Sequence, residues 1–345
     1  MSCVSGKESE WRRRQARLRF WGRRLLDYLF TAGFILVVNF LLPRLLPGDP
    51  FALLSGLGAS SDLPARLDAA SEAALRQYYG LDKPLLGQLL IYMENLRHGN
   101  LGYAYYFKAP VADLLAERLP WSLLLMLPSI FLASLIGIAS GVFAAWRRGT
   151  LWDRGIWGLL LSLRTVPPFF LGSLFILAFG VYGHWFPVSG AFSLDAAGAA
   201  GLARLKDIVW HLALPVATLT LAELPGKFLL TRSAVLDALG EDYILFGRAR
   251  GLSERQLMFG HALPNALLPV TTHIGLRLGL AAGGMIYVET VFGYPGMGRF
   301  LYEALLVRDF QALQGGFLVI SLTVLLLNML FDLVYAYLDP RVEAD

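Results

Sequence analysis

WSLLLMLPSIFLASLIGIASGVFAAW, residues 121–146, runs straight into Arg147-Arg148-Gly149. Its 26 residues contain no Asp, Glu, Lys or Arg. Crossing about 30 Å of hydrocarbon at about 1.5 Å per residue takes roughly 20 apolar residues. The stretch therefore spans a bilayer with length to spare, and it stops on a pair of arginines, the charge that stays on the cytoplasmic side. The rest of the chain has the same character. Of 345 residues, 56% are hydrophobic and only 16% charged, where a soluble domain has about 45–50% and about 25%. The mean hydropathy is +0.54. Disordered, collagen-like and nucleic-acid-binding classes are excluded. So is a disulfide scaffold, because Cys3 is alone.

Working outward, six stretches are long and apolar enough to span: 25–46, 121–146, 156–182, 208–230, 266–288 and 317–338. Basic residues crowd the N-terminal tail (Lys7, Arg12, Arg13, Arg14, Arg17, Arg19, Arg23, Arg24), the loop after the second span (Arg147, Arg148, Arg154) and the loop after the fourth (Arg232, Arg248, Arg250, Arg255). An even number of spans places all three segments on one side, the cytoplasm. The expected fold is an all-α polytopic membrane protein with six transmembrane helices and both termini cytoplasmic. Its parts are a basic tail at 1–24, a first helix at 25–46, a small extracytoplasmic region at 47–116, five helices within 117–338, and a short tail at 339–345. The first span reads as an uncleaved anchor, since its apolar core is long and no A-x-A-like site precedes Pro43-Arg44. Within the extracytoplasmic region a helix is expected at 65–79, stopped by Gly80-Leu81-Asp82-Lys83-Pro84.

The loop at 236–265 carries the most information. It reads Gly240-Glu241-Asp242-Tyr243-Ile244-Leu245-Phe246-Gly247-Arg248-Ala249-Arg250-Gly251-Leu252-Ser253 and continues to His261-Ala262-Leu263-Pro264-Asn265. One helix of small and basic residues is expected to stop at Gly251, and a second to end before Pro264. Small residues permit close approach by another body, and the arginines suit carboxylates upon it.

This segment resembles the EAA loop of ABC-transporter permeases, whose pattern is E-A-A, three residues, Gly, nine residues, I-x-L-P. Gly251 stands at the glycine, and His261-Ala262-Leu263-Pro264 follows nine residues later. The whole chain resembles the B-type subunit of the peptide/nickel (dipeptide–oligopeptide, binding-protein-dependent) permeases. Further matches are Pro47-Gly48-Asp49-Pro50, Gly99-Asn100-Leu101-Gly102, Pro295-Gly296-Met297-Gly298-Arg299, Arg308-Asp309-Phe310 and Asp339-Pro340-Arg341. Two departures stand out: Leu245-Phe246-Gly247 occupies the place of the triplet, and His261 replaces the hydrophobic residue.

The resemblance implies a type I ABC importer permease fold in a bacterial inner membrane. It implies a coupling helix seated in a groove of a cytoplasmic ATPase, engaging Asp242, Tyr243, Gly247, Arg248, Ala249, Arg250, Gly251, Leu252, His261, Leu263, Pro264 and Asn265. The implied partners are a homologous second permease forming a heterodimer, two ATPase subunits, an extracytoplasmic substrate-binding protein and the lipid membrane, with no nucleic acid. No G-x-x-x-x-G-K-[ST] phosphate loop occurs, so the chain is not expected to be an enzyme. It holds no cofactor of its own, and ATP with magnesium belongs to partner subunits. The implied cargo is peptide, with nickel or metal–opine chelates as the alternative.

Charged and amide side chains at membrane depth are costly and default to function. Arg164, Glu223 and Asn39 are the pathway candidates. Glu223 and Lys227, spaced i,i+4, can equally satisfy each other. Asn39 and Asn328 can equally join helices, and Asp332 can pair near the cytoplasmic end. Five scattered histidines without H-x-x-x-H spacing give no metal site. An ion-coupled transporter using Glu223 or Asp332 as a proton relay is the competing class, and it usually shows internal repeats.

Overall fold

The computed structural model describes residues 22–42, 83–193, 198 and 201–338, without the side chains of 276–284 and 334–338. The helix expected at 65–79, the basic tail as far as residue 21, Pro47–Pro50, Asp339–Arg341 and the Arg277 side chain lie outside the described residues. The elements are α1 (Gly22–Leu42), α2 (Leu85–Arg97), a hairpin of β1 (Tyr103–Ala104) and β2 (Ala109–Pro110), α3 (Val111–Trp146), α4 (Leu151–Arg164) and α5 (Pro168–Phe175). α5 is prolonged by a π-helical stretch, Ile176–Tyr182. Then come α6 (Leu202–Leu239), α7 (Asp242–Ala249), α8 (Glu254–Leu257), a second π stretch (Met258–Ala262), α9 (Leu263–Val291), α10 (Met297–Leu306) and α11 (Phe310–Leu338).

Among the described residues, four helices are long and apolar enough to cross a membrane: α1, α3, α6 and Phe310–Leu333 of α11. The expected third span, 156–182, is not one straight helix. It is α4 followed by α5 with its π stretch, and the two axes meet at 100°. Pro167-Pro168 is the cause. Proline lacks the amide that would continue the ladder, and it pushes its predecessor out of the helical region; Pro167 sits at ψ 141° and serves as the cap of α5. Counting that bent pair as one crossing gives five. α9, 29 residues long, covers the expected fifth span without meeting the same test among the described residues. Elsewhere the helices outrun the expected limits: α3 begins at Val111 and α6 at Leu202.

The chain divides into two compact units. One comprises Arg23–Leu119 with Phe300–Thr323. Here Asn39 is buried and its amide straddles one rung of α11, donating to the Gln314 carbonyl at 3.0 Å and accepting from the Leu318 amide at 2.8 Å. That contact joins α1 to α11, the helix-joining alternative for Asn39. Asp309 caps α11, accepting from the amides of Ala312 (3.1 Å) and Tyr106 (3.0 Å). Burial pushes its carboxyl above the usual carboxylate range, against the opposing pull of those amides. The Arg118 guanidinium lies over the rings of Phe300 and Phe107, at 5.2 and 5.9 Å.

The other unit comprises Pro120–Arg299 with the chain from Val324 onward. Its largest core joins Leu125, Met126 and Ile130 of α3 to Leu212, Leu214 and Leu219 of α6 and Val288 of α9. α3 and α6 touch backbone to backbone through Gly137 and Gly141. A Cβ on Gly141 would lie 2.8 Å from Thr231 Cβ and 3.0 Å from the Phe228 carbonyl oxygen. This is the small-residue crossing by which helices associate where lipid is the solvent.

Candidate functional site

The α7–α8 loop is built on a buried floor. Val142 and Ala145 of α3, Val235 and Ala238 of α6, Ile244 of α7, Leu257 of α8, then Met258, Ala262 and Ala266 form one core. α7 contributes Ile244 and Gly247 to that floor. Gly247 is required by proximity: a Cβ there would come within 2.5 Å of Leu257 Cδ2.

α7 ends in a Schellman turn. Gly251 has φ +82°, the Leu252 amide donates to the Gly247 carbonyl (3.2 Å), and the Gly251 amide donates to that of Arg248 (2.9 Å). Gly251 thus has a local reason to be glycine, while a Cβ at that position would meet nothing within 4 Å. The next residue but one starts α8 with a capping box: Ser253 Oγ accepts from the Gln256 amide (3.4 Å), and Gln256 Oε1 accepts from the Ser253 amide (2.9 Å). Its Ser-x-x-Gln signal stands in the sequence but forms no part of the reading above.

The second helix does not end before Pro264. α8, the π stretch and α9 form one uninterrupted helical run, with Pro264 at the second position of α9. A π turn already breaks the i→i−4 ladder, so a proline just after it leaves few amides unmatched. Asn265 Nδ2 donates back to the His261 carbonyl at 2.8 Å.

Asp242, Tyr243, Arg248, Ala249, Arg250, Gly251, His261, Pro264 and Asn265 are exposed, Leu252 and Leu263 half-buried, and Gly247 buried. Arg248 spends both arms of its fork on Glu254, at 3.0 and 3.3 Å, which raises its already high pKa. It is satisfied inside the loop rather than held open for another body. Two residues absent from the expected set are the most conspicuous on the surface: Leu245 is 67% exposed and Phe246 71%. Together with Tyr243 they cover the outer side of a helix whose inner side is fully packed.

Away from the loop, Glu223 Oε2 lies 3.6 Å from Lys227 Nζ. Arg164 is exposed at the last residue of α4, beside the break in the span.

The turn after α9 holds a cluster that the sequence reading passed over. Glu289 is fully buried. It accepts from Ser122 Oγ at 2.6 Å and from the Arg299 amide at 2.9 Å, while Ser122 Oγ accepts from the Met297 amide at 2.7 Å. Pro295–Arg299 is thereby tied to the start of the long span of α3. Tyr294 is buried beside it, and burial together with the Glu289 charge pushes its phenol well above the ordinary range. A Cβ on Gly296 would collide with the Glu289 carboxylate, so that glycine is required by contact. The signal was available: an acidic residue one position past an apolar span, before a glycine-rich turn.

Residues 137–344 match the family described as the binding-protein-dependent transport system inner membrane component. A di/tripeptide transport system permease protein of Pseudomonas aeruginosa is 36% identical over 339 residues, covering 94% of this chain and 99% of that protein. The dipeptide transport system permease protein of Escherichia coli K12 is 35% identical over 343 residues, with the same coverage of each. The α7–α8 loop and every described span from α6 onward fall inside the matched region. The chain belongs to the family of inner-membrane components of binding-protein-dependent transport systems.

Proposed function

We propose that this chain is one half of the translocation pathway of an ATP-driven peptide importer. In this reading it pairs with a homologous permease, two cytoplasmic ATPase subunits and an extracytoplasmic binding protein. The observation that carries the reading is the outer side of α7, where Tyr243, Leu245 and Phe246 stand exposed on a rigid floor. An apolar helix face above a packed base is the form a partner's groove receives. Peptide is favoured over metal chelates because the relatives that match nearly end to end are dipeptide and di/tripeptide permeases.

Six crossings belong to the same reading, with α9 as the fifth and the bent α4–α5 pair as the third. Both termini and the α7–α8 loop then face the cytoplasm, and the region around 47–116 faces the binding protein. The chain couples the cycle without hydrolysing ATP. Closure of the ATPase pair would bias inward- and outward-open states by contacting α7 differently in each.

The test is Phe246→Asp in the complete transporter. The expected result is a correctly folded permease that no longer retains the ATPase on purification. Its ATP-dependent uptake of labelled alanylalanine is lost, whereas wild-type uptake survives a protonophore. Uptake that stops with the proton gradient while ATP remains would establish the ion-coupled alternative.

A further inference from the structure

Beneath the α7–α8 loop lies a polar joint outside everything assigned above. Asp153, in the first turn of α4, is 4% exposed. Its Oδ1 accepts from Arg232 Nε at 2.8 Å and its Oδ2 from Arg232 Nη2 at 2.9 Å. The same Oδ2 accepts from the Gly149 amide at 3.0 Å. Gly149 has φ +80° and sits in the tight turn between α3 and α4. Thr150 closes that turn, donating to the Arg147 carbonyl at 2.6 Å and capping the Asp153 amide at 3.4 Å. One carboxylate therefore fastens the α3–α4 turn to the C-terminal part of α6.

The position is what gives this joint a task. Arg232 follows Thr231, the residue packed against Gly141 of α3, so α3, α4 and α6 meet at one level. Further along α6, from Val235 to Ala238, the floor of the loop draws its apolar residues from α3, α6, α7, α8 and α9. None of its members comes from α4. On the other side of the joint, among the described residues, α4 packs on α6 through an apolar cluster of Ile156, Leu160 and Leu163 with Leu221, Leu224, Phe228 and Leu229. Such apolar ridges resist separation, but they resist sliding along the helix axis far less than a two-pronged ion pair does. Beyond Leu163 the chain reaches the 100° break and α5.

We propose that the Asp153–Arg232 pair is the positioning joint that hands displacement of the loop's base, carried by α6, to α4 and the broken span. A bidentate guanidinium–carboxylate contact fixes both distance and orientation, so α4 follows α6 in register instead of slipping on its apolar face. This inference rests on the loop being the ATPase contact.

The experiment uses the whole transporter with its own second permease, ATPase subunits and binding protein. R232K keeps the positive charge but loses the planar fork. The assembled R232K complex is expected to retain basal ATP hydrolysis, while its stimulation by the binding protein falls about five- to tenfold, the lower end of a typical coupling between sites. The double exchange D153R/R232D is expected to recover part of that stimulation. Stimulation unchanged in R232K would overturn the proposal. Failure of R232K to assemble would overturn it equally, by making the pair a folding element. Phe246→Asp, run in parallel, separates the two readings. If it leaves stimulation intact, the loop is not the ATPase contact; if it abolishes stimulation while R232K does not, only the joint is refuted.

Discussion

The α7–α8 loop and the turn after α9 are both short, glycine-bearing connections, yet they use their polar groups in opposite ways. In the turn, the Glu289 carboxylate is consumed internally by Ser122 and Arg299, and nothing of it reaches the surface. In the loop, the internal polar bonds only shape the chain, through the Schellman turn at Gly251 and the Ser253–Gln256 box, and leave the apolar residues of α7 outside. The first is built to hold one geometry. The second holds a geometry in order to present a surface. Damage to the turn should therefore appear as lost stability, and damage to the loop as lost communication.

Substitutions at four positions sharpen that contrast, in decreasing order of their effect on folding. Glu289→Ala strands the Ser122 hydroxyl and the Arg299 amide in a buried site, and should cost about 3 kcal/mol or more, read by thermal unfolding in detergent. Glu289→Gln, which keeps an acceptor oxygen, should cost visibly less. Gly141→Leu forces α3 away from α6, and overpacking of this kind costs about 1–3 kcal/mol, seen as a lower yield of assembled protein. Gly251→Trp should cost only the left-handed backbone penalty, about 1–2 kcal/mol, because the space beyond a Cβ is open. It should nevertheless remove binding-protein-stimulated ATP hydrolysis. Phe246→Asp should leave stability within about 0.5 kcal/mol and abolish retention of the ATPase. If Glu289→Ala proves neutral to folding, or Phe246→Asp unfolds the chain, the contrast between the two regions is wrong.

Much of the architecture was open to reading because lipid imposes a simple rule: apolar runs of sufficient length become helices. α1, α3, α6 and α11 follow from it directly. The break at Pro167-Pro168 was visible as a composition, but its angle depends on what α5 packs against, including Gly172 beside Phe292. The end of the second loop helix was misread for a related reason. Proline was taken as a stop, whereas the π stretch before it had already released the ladder. Asn39 shows the same limit from another side, since its residue type allows helix joining or a pathway role and only its partners on α11 decide. In the loop, the motif spacing drew attention to arginines and glycines. Leu245 and Phe246 entered only as departures from a pattern, although exposed side chains of that size are the more informative chemistry. Glu289 and Asp153 escaped because a carboxylate near a span end looks like any surface acid until its burial is known.

The Ser122 hydroxyl also constrains how the protein can be made. Its two partners, Glu289 and the Met297 amide, lie 167 and 175 residues further along the chain. At a synthesis rate of about 5–20 residues per second, roughly 8–35 s pass between delivery of the serine to the bilayer and arrival of the groups it will bond. In that interval the hydroxyl must be satisfied by its own helix, through a carbonyl one turn back. The turn after α9 then locks only once the insertion machinery has delivered the later helices, which makes that region a late and local checkpoint of biogenesis.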